Sequence, residues 1–317
     1  MVEVVTFGEA MLRLSPPADG RLETTPQFDV TVGGSESNVA ALASRLGRDA
    51  IWLSKLPDDP LGRRVAGQLR RDGVEPVVCW SDEGRVGTYY LESGDPPRGT
   101  DVVYDRAGSA VTTVQPGDLD TETVESAEVF HTSGITPALS DATAETTAQL
   151  LSIAAQSGTT VSFDLNYRSK LWSHAEARDT LEPLLADVDL LFAPRRDTES
   201  ILGIDAAAQE MARHLAGTYG IETVVVTMGG DGALALHGGE CYEQSVYPAS
   251  DRRPIGTGDA FVGGFLAALV ETDDLDTALS WGAAAAALKR SIPGDIATIT
   301  PDEVREVIDG ATPDISR

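Results

Sequence analysis

The sequence predicts an α/β fold in which helices cover a central, mostly parallel sheet and a small second sheet is attached. The chain has 317 residues, of which 42% are hydrophobic, and this is enough to fill a large core. Over most of the chain, near-continuous apolar strands alternate with helical segments, which is typical of a parallel sheet buried on both faces. Between residues 76 and 114 the segments are short and rich in Val, Tyr and Thr, which indicates antiparallel hairpins.

The first third of the chain supplies alternating strands and helices and then the small sheet. A helix that opens near Asn38 ends at Gly47, because glycine suits the left-handed position after a helix. The predicted strands are 2–8, 11–14 and 51–54, and the predicted helices are 38–47 and 61–72. The small sheet is predicted from strands 77–80, 87–92 and 101–106, and it would project as a lid built from residues 11–30 and 76–114.

The rest of the chain alternates helix and strand and ends in helices. Ser140 is the expected N-cap of a long helix, because its hydroxyl can accept a hydrogen bond from an open N–H group of the first turn. The predicted strands are 129–134, 160–166, 190–193, 223–228, 233–237 and 240–246. The predicted helices are 140–157, 175–186, 206–219, 260–270, 277–289 and 301–308. No low-complexity linker separates these elements, so we expect a single domain over residues 1–317.

The charge balance excludes several classes of partner. Asp and Glu number 50 against 24 Lys and Arg, giving a net charge of −26, and such a surface repels nucleic acid and anionic membranes. The acidic residues are scattered, which favours a soluble enzyme working in high salt, where screening removes the self-repulsion. We see no basic leader and no apolar stretch of about 20 residues. Cys79 and Cys241 lie far apart, so we expect spare thiols in the cytoplasm of a halophile.

The stretch Gly256-Thr257-Gly258-Asp259 joins a polar turn to an apolar helix. The first N–H groups of a helix have no partner within it and carry partial positive charge, and glycines let the backbone close around an anion. Asp259, in the first turn, would then be placed to deprotonate a hydroxyl that attacks a phosphoryl group. The alternative is an ordinary turn in which Asp259 caps the helix. These residues alone do not decide between the two.

Further polar clusters fall where predicted strands end. Residues 166–168 and 229–232 each follow a strand, and 256–259 falls at such an end too, so all three are expected at the edge of the sheet where ligands bind. Near the start, Gly33-Gly34 opens a helix that carries Asn38, whose amide can both donate to and accept from hydroxyls. A dinucleotide-dependent oxidoreductase would need a G-x-G-x-x-G turn after the first strand, and the chain lacks one.

Together these features closely resemble the ribokinase/PfkB family of carbohydrate kinases, in order and over essentially the whole chain. The matching motifs are the early glycine pair with Asn38, the strand-rich lid, the glycine turn after a late strand, and a terminal GAGD-type motif, here GTGD. Within the family the chain is most similar to the kinases of 2-keto-3-deoxygluconate. That narrower resemblance rests on Tyr89-Tyr90, on YDR at 104–106 with GSA at 108–110, on HTSGITPAL at 131–139, and on DLNYRSKLW at 164–172.

The resemblance implies a ribokinase-like three-layer fold and ATP-dependent phosphorylation of the primary hydroxyl of 2-keto-3-deoxy-D-gluconate, in an Entner–Doudoroff type pathway. Asp259 matches the family's base, and Gly256, Thr257 and Gly258 match its anion hole. The implied substrate-binding residues are Gly34, Ser35, Asn38, Tyr90, Tyr104, Arg106, Arg168, Asp259 and Asp295. The implied ATP-binding residues are Asn166, Thr227, Gly229, Gly230, Asp231, Gly232, Gly256, Gly258, Ala283 and Ala287.

The chemistry of an acid substrate agrees with two of these positions. A neutral sugar needs no cation, whereas a carboxylate favours a bidentate arginine. Arg106 and Arg168 are scarce cations in so acidic a chain. The alternative places each in a surface salt bridge worth about 0–1 kcal/mol, and Tyr90 and Tyr104 in the core of the lid.

The resemblance also implies cofactors and partners. The cofactors are ATP, Mg²⁺ and a monovalent cation such as K⁺, and no direct metal ligand is assigned. Arg253 stands where members usually carry Asp, with Asp251 as the nearby replacement, and 194–197 replaces an Asn-x-x-Glu element. The partners are a small sugar acid and further copies of the chain, joined through the lid sheet. A kinase of a neutral sugar or nucleoside, and a non-catalytic sugar-binding regulator, remain the alternatives.

Overall fold

Two sheets organise the chain in the computed structural model, which describes residues 2–17, 20–94, 97–250 and 253–310. The strands are β1 (Val4–Phe7), β2 (Met11–Ser15), β3 (Asp29–Gly33), β4 (Ala50–Pro57), β5 (Glu75–Ser81), β6 (Thr88–Glu92), β7 (Asp101–Asp105), β8 (Val129–Ser133), β9 (Thr160–Asp164), β10 (Leu190–Pro194), β11 (Thr223–Thr227), β12 (Ala233–His237) and β13 (Glu240–Gln244). Asp251, the predicted replacement carboxylate, lies outside the described residues.

Most helices fall between strands, as the alternating pattern predicts, and the last three follow β13. They are α1 (Ser35–Arg45), α2 (Pro60–Arg71), α3 (Thr121–Glu125), α4 (Asp141–Ser157), α5 (His174–Leu181), α6 (Arg195–Leu202), α7 (Ala208–Tyr219), α8 (Thr257–Thr272), α9 (Leu275–Lys289) and α10 (Pro301–Ile308). Ser140 caps α4 as predicted, since its Oγ accepts from the N–H of Thr143 at 3.1 Å. Helices α3 and α6 were not predicted.

The large sheet explains why its strands are apolar on both faces. In the described residues it has nine strands in the order β13-β12-β11-β10-β9-β8-β1-β4-β5, parallel from β11 to β5, with β12 and β13 antiparallel. Along β10, Leu191 and Ala193 pack toward α4, α5 and α7, whereas Leu190 and Phe192 pack toward α1, α8 and α9. Alternate side chains thus enter two different cores, and the predicted α/β fold is confirmed.

The small sheet has the strand order β3-β2-β6-β7. Strand β2 pairs with β3 in antiparallel and with β6 in parallel orientation. The prediction that 77–80 belongs to this sheet is wrong, because β5 pairs in parallel with β4 at the edge of the large sheet. An edge strand has one neighbour and half-buried side chains, so its sequence looks like that of a hairpin strand.

The described residues carry no helix with the length and apolar character that crossing a bilayer needs. Cys79 and Cys241 are both free thiols, as expected from their separation.

Helices α1, α8 and α9 lie on one face of the large sheet and pack against one another at glycines. A Cβ added at Gly264 of α8 would lie 2.8 Å from the Cβ of Ala285 and 2.9 Å from the carbonyl oxygen of Trp281, both in α9. A Cβ added at Gly263 would lie 3.0 Å from the carbonyl oxygen of Val39 in α1. Close packing of α8 against both neighbours therefore requires these small residues.

We expect Gly264→Ala to destabilise the protein by about 1–3 kcal/mol, because the added methyl group forces α8 and α9 apart. The matched control is Gly67→Ala in α2, where an added Cβ meets nothing within 4 Å. That change should raise the free energy of unfolding by about 0.5–1 kcal/mol, since alanine loses less backbone entropy in a helix. Urea unfolding of both variants in the same salt measures the difference, and an equally stable Gly264→Ala variant would contradict the packing argument.

Candidate active site

A cavity of about 840 Å³ lies at the carboxyl ends of the parallel strands, between the large sheet and the small sheet. Its floor is formed by the ends of β9 and β11 and by the turn before α8, and the small sheet contributes Tyr89, Val102 and Tyr104. The predicted residues that line it are Gly34, Ser35, Asn38, Tyr104, Asn166, Arg168, Thr227, Gly229, Asp231, Gly256, Gly258, Asp259 and Asp295. Residues from six separate parts of the chain therefore meet at one opening.

The Asp259 carboxylate is held by side chains of α1. Its Oδ1 accepts a hydrogen bond from the Ser35 hydroxyl at 2.9 Å, and its Oδ2 accepts one from the Asn38 amide at 2.7 Å. Neither oxygen caps the helix to which Asp259 belongs. The N-cap alternative is therefore excluded, and the carboxylate is oriented into the cavity instead.

A second amide extends this network. Asn166 donates from Nδ2 to the Ser35 Oγ at 2.8 Å, so the Ser35 hydroxyl accepts from Asn166 and donates to Asp259. Asn166 has a φ of 39°, a left-handed backbone conformation that asparagine tolerates better than most residues. The predicted ATP contact at Asn166 is thus joined to the predicted base by one hydroxyl.

The turn that leads into α8 and the first turn of that helix have open N–H groups. Gly256 has a φ of 78°, which favours glycine, and α8 begins at the next residue. The Thr257 N–H donates within the turn to the Pro254 carbonyl at 3.3 Å, whereas those of Gly258 and Asp259 have no partner among the described residues. The Thr257 Oγ1 is buried and also lacks a partner there. The turn therefore presents unsatisfied donors to an anion.

Close backbone approach brings α1 to this turn. A Cβ at Gly34 would lie 2.0 Å from the carbonyl oxygen of Glu9, so only glycine fits there. This contact places the first turn of α1, with Ser35 and Asn38, opposite the first turn of α8.

A second cavity of about 540 Å³ adjoins the first at Asp164, Thr227 and Gly258. The predicted nucleotide residues that line it are Thr227, Gly229, Gly230, Gly232, Gly258, Ala283 and Ala287, together with Thr257 of the predicted anion hole. Apolar and aromatic side chains not predicted from the sequence complete it, namely Phe192, Val246, Tyr247, Phe261 and Val262. The two cavities meet at the turn, which is where a group passing between two ligands would lie.

Two neighbouring carboxylates line the first cavity, and one of them, Asp164, also lines the second. Asp164 ends β9, and burial raises its pKa to about 8, with the nearby Asp197 and Asp259 adding to the rise. Burial likewise raises the pKa of Asp197, whose Oδ2 accepts from the Tyr167 N–H at 3.1 Å. Among the described residues, no group of three or more His, Cys, Asp and Glu side chains could hold a metal ion alone. The pair can therefore supply part of a cation site, completed by other oxygen donors.

A scan with protein-family models matches residues 1–302 to one described as pfkB family carbohydrate kinase. The chain belongs to this family. It is accordingly a carbohydrate kinase, as the motifs predict, and the oxidoreductase alternative is excluded.

Individual relatives show more specific similarities than the family model does. The chain is 55% identical over 315 residues to a 2-dehydro-3-deoxygalactonokinase of Haloferax volcanii, covering 99% of both chains. It is 30% identical to a 2-dehydro-3-deoxygluconokinase of Thermoproteus tenax, covering 97% of this chain and 94% of the relative. A crystal structure of 2-dehydro-3-deoxygluconokinase from Thermotoga maritima superposes with a TM-score of 0.93 at 36% identity, covering 98% of both chains.

Two predicted substrate residues of this PfkB kinase lie outside the cavity. Tyr90 packs edge-on against Phe28 on the other face of β6, and it is Tyr89 that faces the cavity beside Tyr104. The prediction for Tyr90 is therefore corrected to Tyr89. A strand's alternation fixes which side chains share a face, but it does not say which of two adjacent tyrosines faces the ligand.

Arg106 also lies outside the cavity. Its guanidinium forms an ion pair with the buried Glu9, and it lies 5.6 Å from the ring centroid of Tyr104. The predicted contact with a substrate carboxylate is replaced by this internal pair, whose partner stands 97 positions away in sequence.

Arg168 lines the cavity, and its charge acts on the carboxylates of Asp164 and Asp197 without a salt bridge to either. Its Nη1 donates only to the carbonyl oxygen of Tyr167, at 3.1 Å, and it forms no salt bridge within the described residues. The surface salt-bridge alternative is thus excluded for Arg168. On the small-sheet side, Asp295 is held by Arg13 at 2.5 Å and by the hydroxyl of Tyr89.

Glu36 is a buried carboxyl that the sequence did not single out. It follows Ser35 in α1 and accepts hydrogen bonds from Ser133 at 2.6 Å and Thr136 at 2.9 Å. Burial raises its pKa to about 7, against the pull of those hydrogen bonds. It anchors the first turn of α1 to the end of β8.

We expect Glu36→Gln to change the pH dependence of stability. A carboxyl whose pKa is raised by folding is destabilising once it ionises, so the wild type loses stability relative to the variant as pH rises from about 4.5 to 7. The gap between the free energies of unfolding of the two proteins should widen by about 3 kcal/mol over this range and stay constant above it. Urea unfolding from pH 4.5 to 8 measures it, with exposed Glu210→Gln as the control. A gap that does not vary with pH would contradict the assignment.

Proposed function

We propose that this kinase transfers the γ-phosphoryl group of ATP to the primary hydroxyl of a 2-keto-3-deoxy sugar acid. The observation that carries the proposal is the oriented Asp259 carboxylate, beside open N–H groups where two cavities meet. The sugar acid occupies the larger cavity, and the nucleotide occupies the adjoining one. Arg168, which lines the larger cavity without a salt bridge among the described residues, favours an acid over a neutral sugar.

The proposed mechanism is an in-line displacement in which Asp259 acts as general base. Ser35 and Asn38 donate to its two oxygens and fix its direction, leaving further lone pairs to accept the substrate's hydroxyl proton. The N–H groups of Gly258 and Asp259 donate to the phosphoryl oxygens as charge shifts during transfer. Closure of the small sheet over the cavity would exclude water that would otherwise hydrolyse ATP.

Mg²⁺ fits the residues present. This ion takes oxygen ligands and is usually held by one or two carboxylates together with substrate phosphates and water. Asp164 and Asp197 are carboxylates whose pKa is raised by burial, and a bound cation would offset the cost of ionising them there. When bound, Mg²⁺ neutralises phosphate charge. The monovalent cation stays a prediction.

The gluconate-derived acid is the substrate predicted from the sequence, with 2-keto-3-deoxy-6-phosphogluconate as product. A second candidate is the galactonate-derived epimer, which the 55% identity to the Haloferax volcanii enzyme favours. The two differ in one hydroxyl's orientation, so the same base and arginine serve either.

Two further expectations stay predictions. Assembly through the small sheet is supported by its exposed apolar side chains, Val30 and Val103. The cytoplasmic location rests on composition alone.

The proposal is tested by sugar-dependent ADP release at high KCl. The panel contains both keto-deoxy epimers, fructose, ribose and adenosine. Turnover with one or both acids and none with the neutral compounds is the expected result. Turnover with a neutral compound alone overturns the acid assignment, and the ratio of kcat/KM for the two acids decides between the epimers.

We expect Asp259→Asn to lower kcat by about 10²- to 10⁴-fold while ATP still binds, because the amide cannot accept the hydroxyl proton. The matched control is Asp273→Asn at the other end of α8, an exposed C-cap with φ 51° that asparagine also tolerates. Steady-state kinetics and ATP titration measure both effects. Turnover at the wild-type rate in Asp259→Asn would sink the mechanism.

We expect Arg168→Ala to raise the KM for the sugar acid by about 10- to 100-fold and the KM for ATP much less, because a charge-assisted hydrogen bond to the carboxylate is lost. Arg178→Ala is the control, since this exposed arginine pairs with Glu182 at 3.0 Å and lines neither cavity. An equal rise in both KM values would contradict the assignment of Arg168 to the acid site.

A further inference from the structure

Lys289 is a fully buried cation at the end of α9. The chain has only three lysines, Lys55, Lys170 and Lys289, and Lys289 is the one with no exposed surface. Its ammonium group donates to the carbonyl oxygen of Ile292 at 3.2 Å. Within the described residues no carboxylate pairs with it, so its charge lacks the partner that a buried cation usually has.

The lysine side chain lies against the turn that opens α8. A Cβ added at Gly256 would lie 3.1 Å from the Cε of Lys289. The carbonyl oxygen of Asp295 packs on the same side of Gly256, at 2.4 Å from that position. The ammonium group thus lies beneath the backbone whose open N–H groups face the two cavities.

The charged groups around Lys289 come from every element packed on it. Arg13 of β2 and Arg253 before α8 repel its charge, and Asp259 in the first turn of α8 attracts it. Asp295 is occupied by Arg13 and Tyr89. Burial, ahead of these charges, lowers the pKa of Lys289 to about 8.

The geometry points to Lys289 as a positioning residue for phosphoryl transfer, whose ammonium charge strengthens the hold of the Gly256–Asp259 turn on a bound phosphoryl group. This inference rests on the proposed function. The charge acts through the turn, because the backbone of Gly256 lies between the lysine and the cavity. An anion at the turn supplies the opposite charge that Lys289 lacks, in surroundings where the interaction is weakly screened.

The proposal has a pH signature. Below about pH 8 the lysine is charged and the turn holds an anion well, and above it both anion affinity and kcat fall. Without a bound anion, the free energy of unfolding changes in the opposite direction and rises as the lysine loses its charge. A lysine whose pKa is lowered by folding destabilises the fold while charged, so Lys289→Met should be at least as stable as the wild type at pH 7, and this advantage should fade between pH 8 and 10.5.

The first arm of the test measures sulfate affinity by thermal shift from pH 7 to 9.5 at constant ionic strength, because the charge of sulfate does not change in this range. Lys289→Met should bind sulfate about 10-fold or more weakly at pH 7, with an affinity that does not vary with pH. Lys55→Met is the control. That lysine pairs with Asp118 at 2.8 Å away from the turn, so its loss should lower stability and leave the sulfate response unchanged.

The second arm measures kinetics of the same proteins. Lys289→Met should lose kcat by about 10- to 100-fold and lose the alkaline limb near pH 8, with a smaller change in the KM for the sugar acid. A sulfate response and alkaline limb equal to the wild type, or a variant that is simply less stable at pH 7, overturns the proposal. Wild-type inactivity on every sugar would refute the proposed function, and the sulfate arm would still decide the role of Lys289.

Discussion

The arrangement of this protein depends on the pair of hydrogen bonds that Ser35 and Asn38 donate to Asp259. They connect the first turns of α1 and α8, although Ser35 and Asn38 lie 224 and 221 positions from Asp259 in sequence. For these turns to meet, Gly34 must approach the backbone of Glu9 and α8 must pack closely on α1. Close packing at the glycines thus allows this contact, and the contact in turn fixes the direction of the base.

The charges of the site contrast with those of the surface. Most arginines of this acidic chain are paired, as in Arg178 with Glu182, but Arg168 and Lys289 form no salt bridge among the described residues. Buried carboxyls at Glu36 and Asp164 have raised pKa values. Unpaired charge of both signs is costly without a ligand. Its concentration here is what a site for a charged substrate, a nucleotide and a cation requires.

Local patterns predicted most of the fold. The cap at Ser140, the glycine turn before α8 and the alternation of strands and helices each depend on residues a few positions apart, and all are present. The assignment of 77–80 to the small sheet failed because an edge strand of the large sheet has the same half-buried character. Motifs likewise located most of the polar residues that line both cavities, whereas the predicted Tyr90 and Arg106 lie outside them.

The sequence by itself determined the sheet, the kinase motifs and the residue types of the site, because these follow from periodicity and from spacings of a few residues. The tertiary structure decided which side chains pair. Whether Asp259 caps its helix or faces the cavity depends on α1, and whether Arg106 is free depends on Glu9, 97 positions away. Whether Tyr89 or Tyr90 faces the cavity depends on how the small sheet lies. Such contacts are set by packing between distant segments, and no local pattern records them.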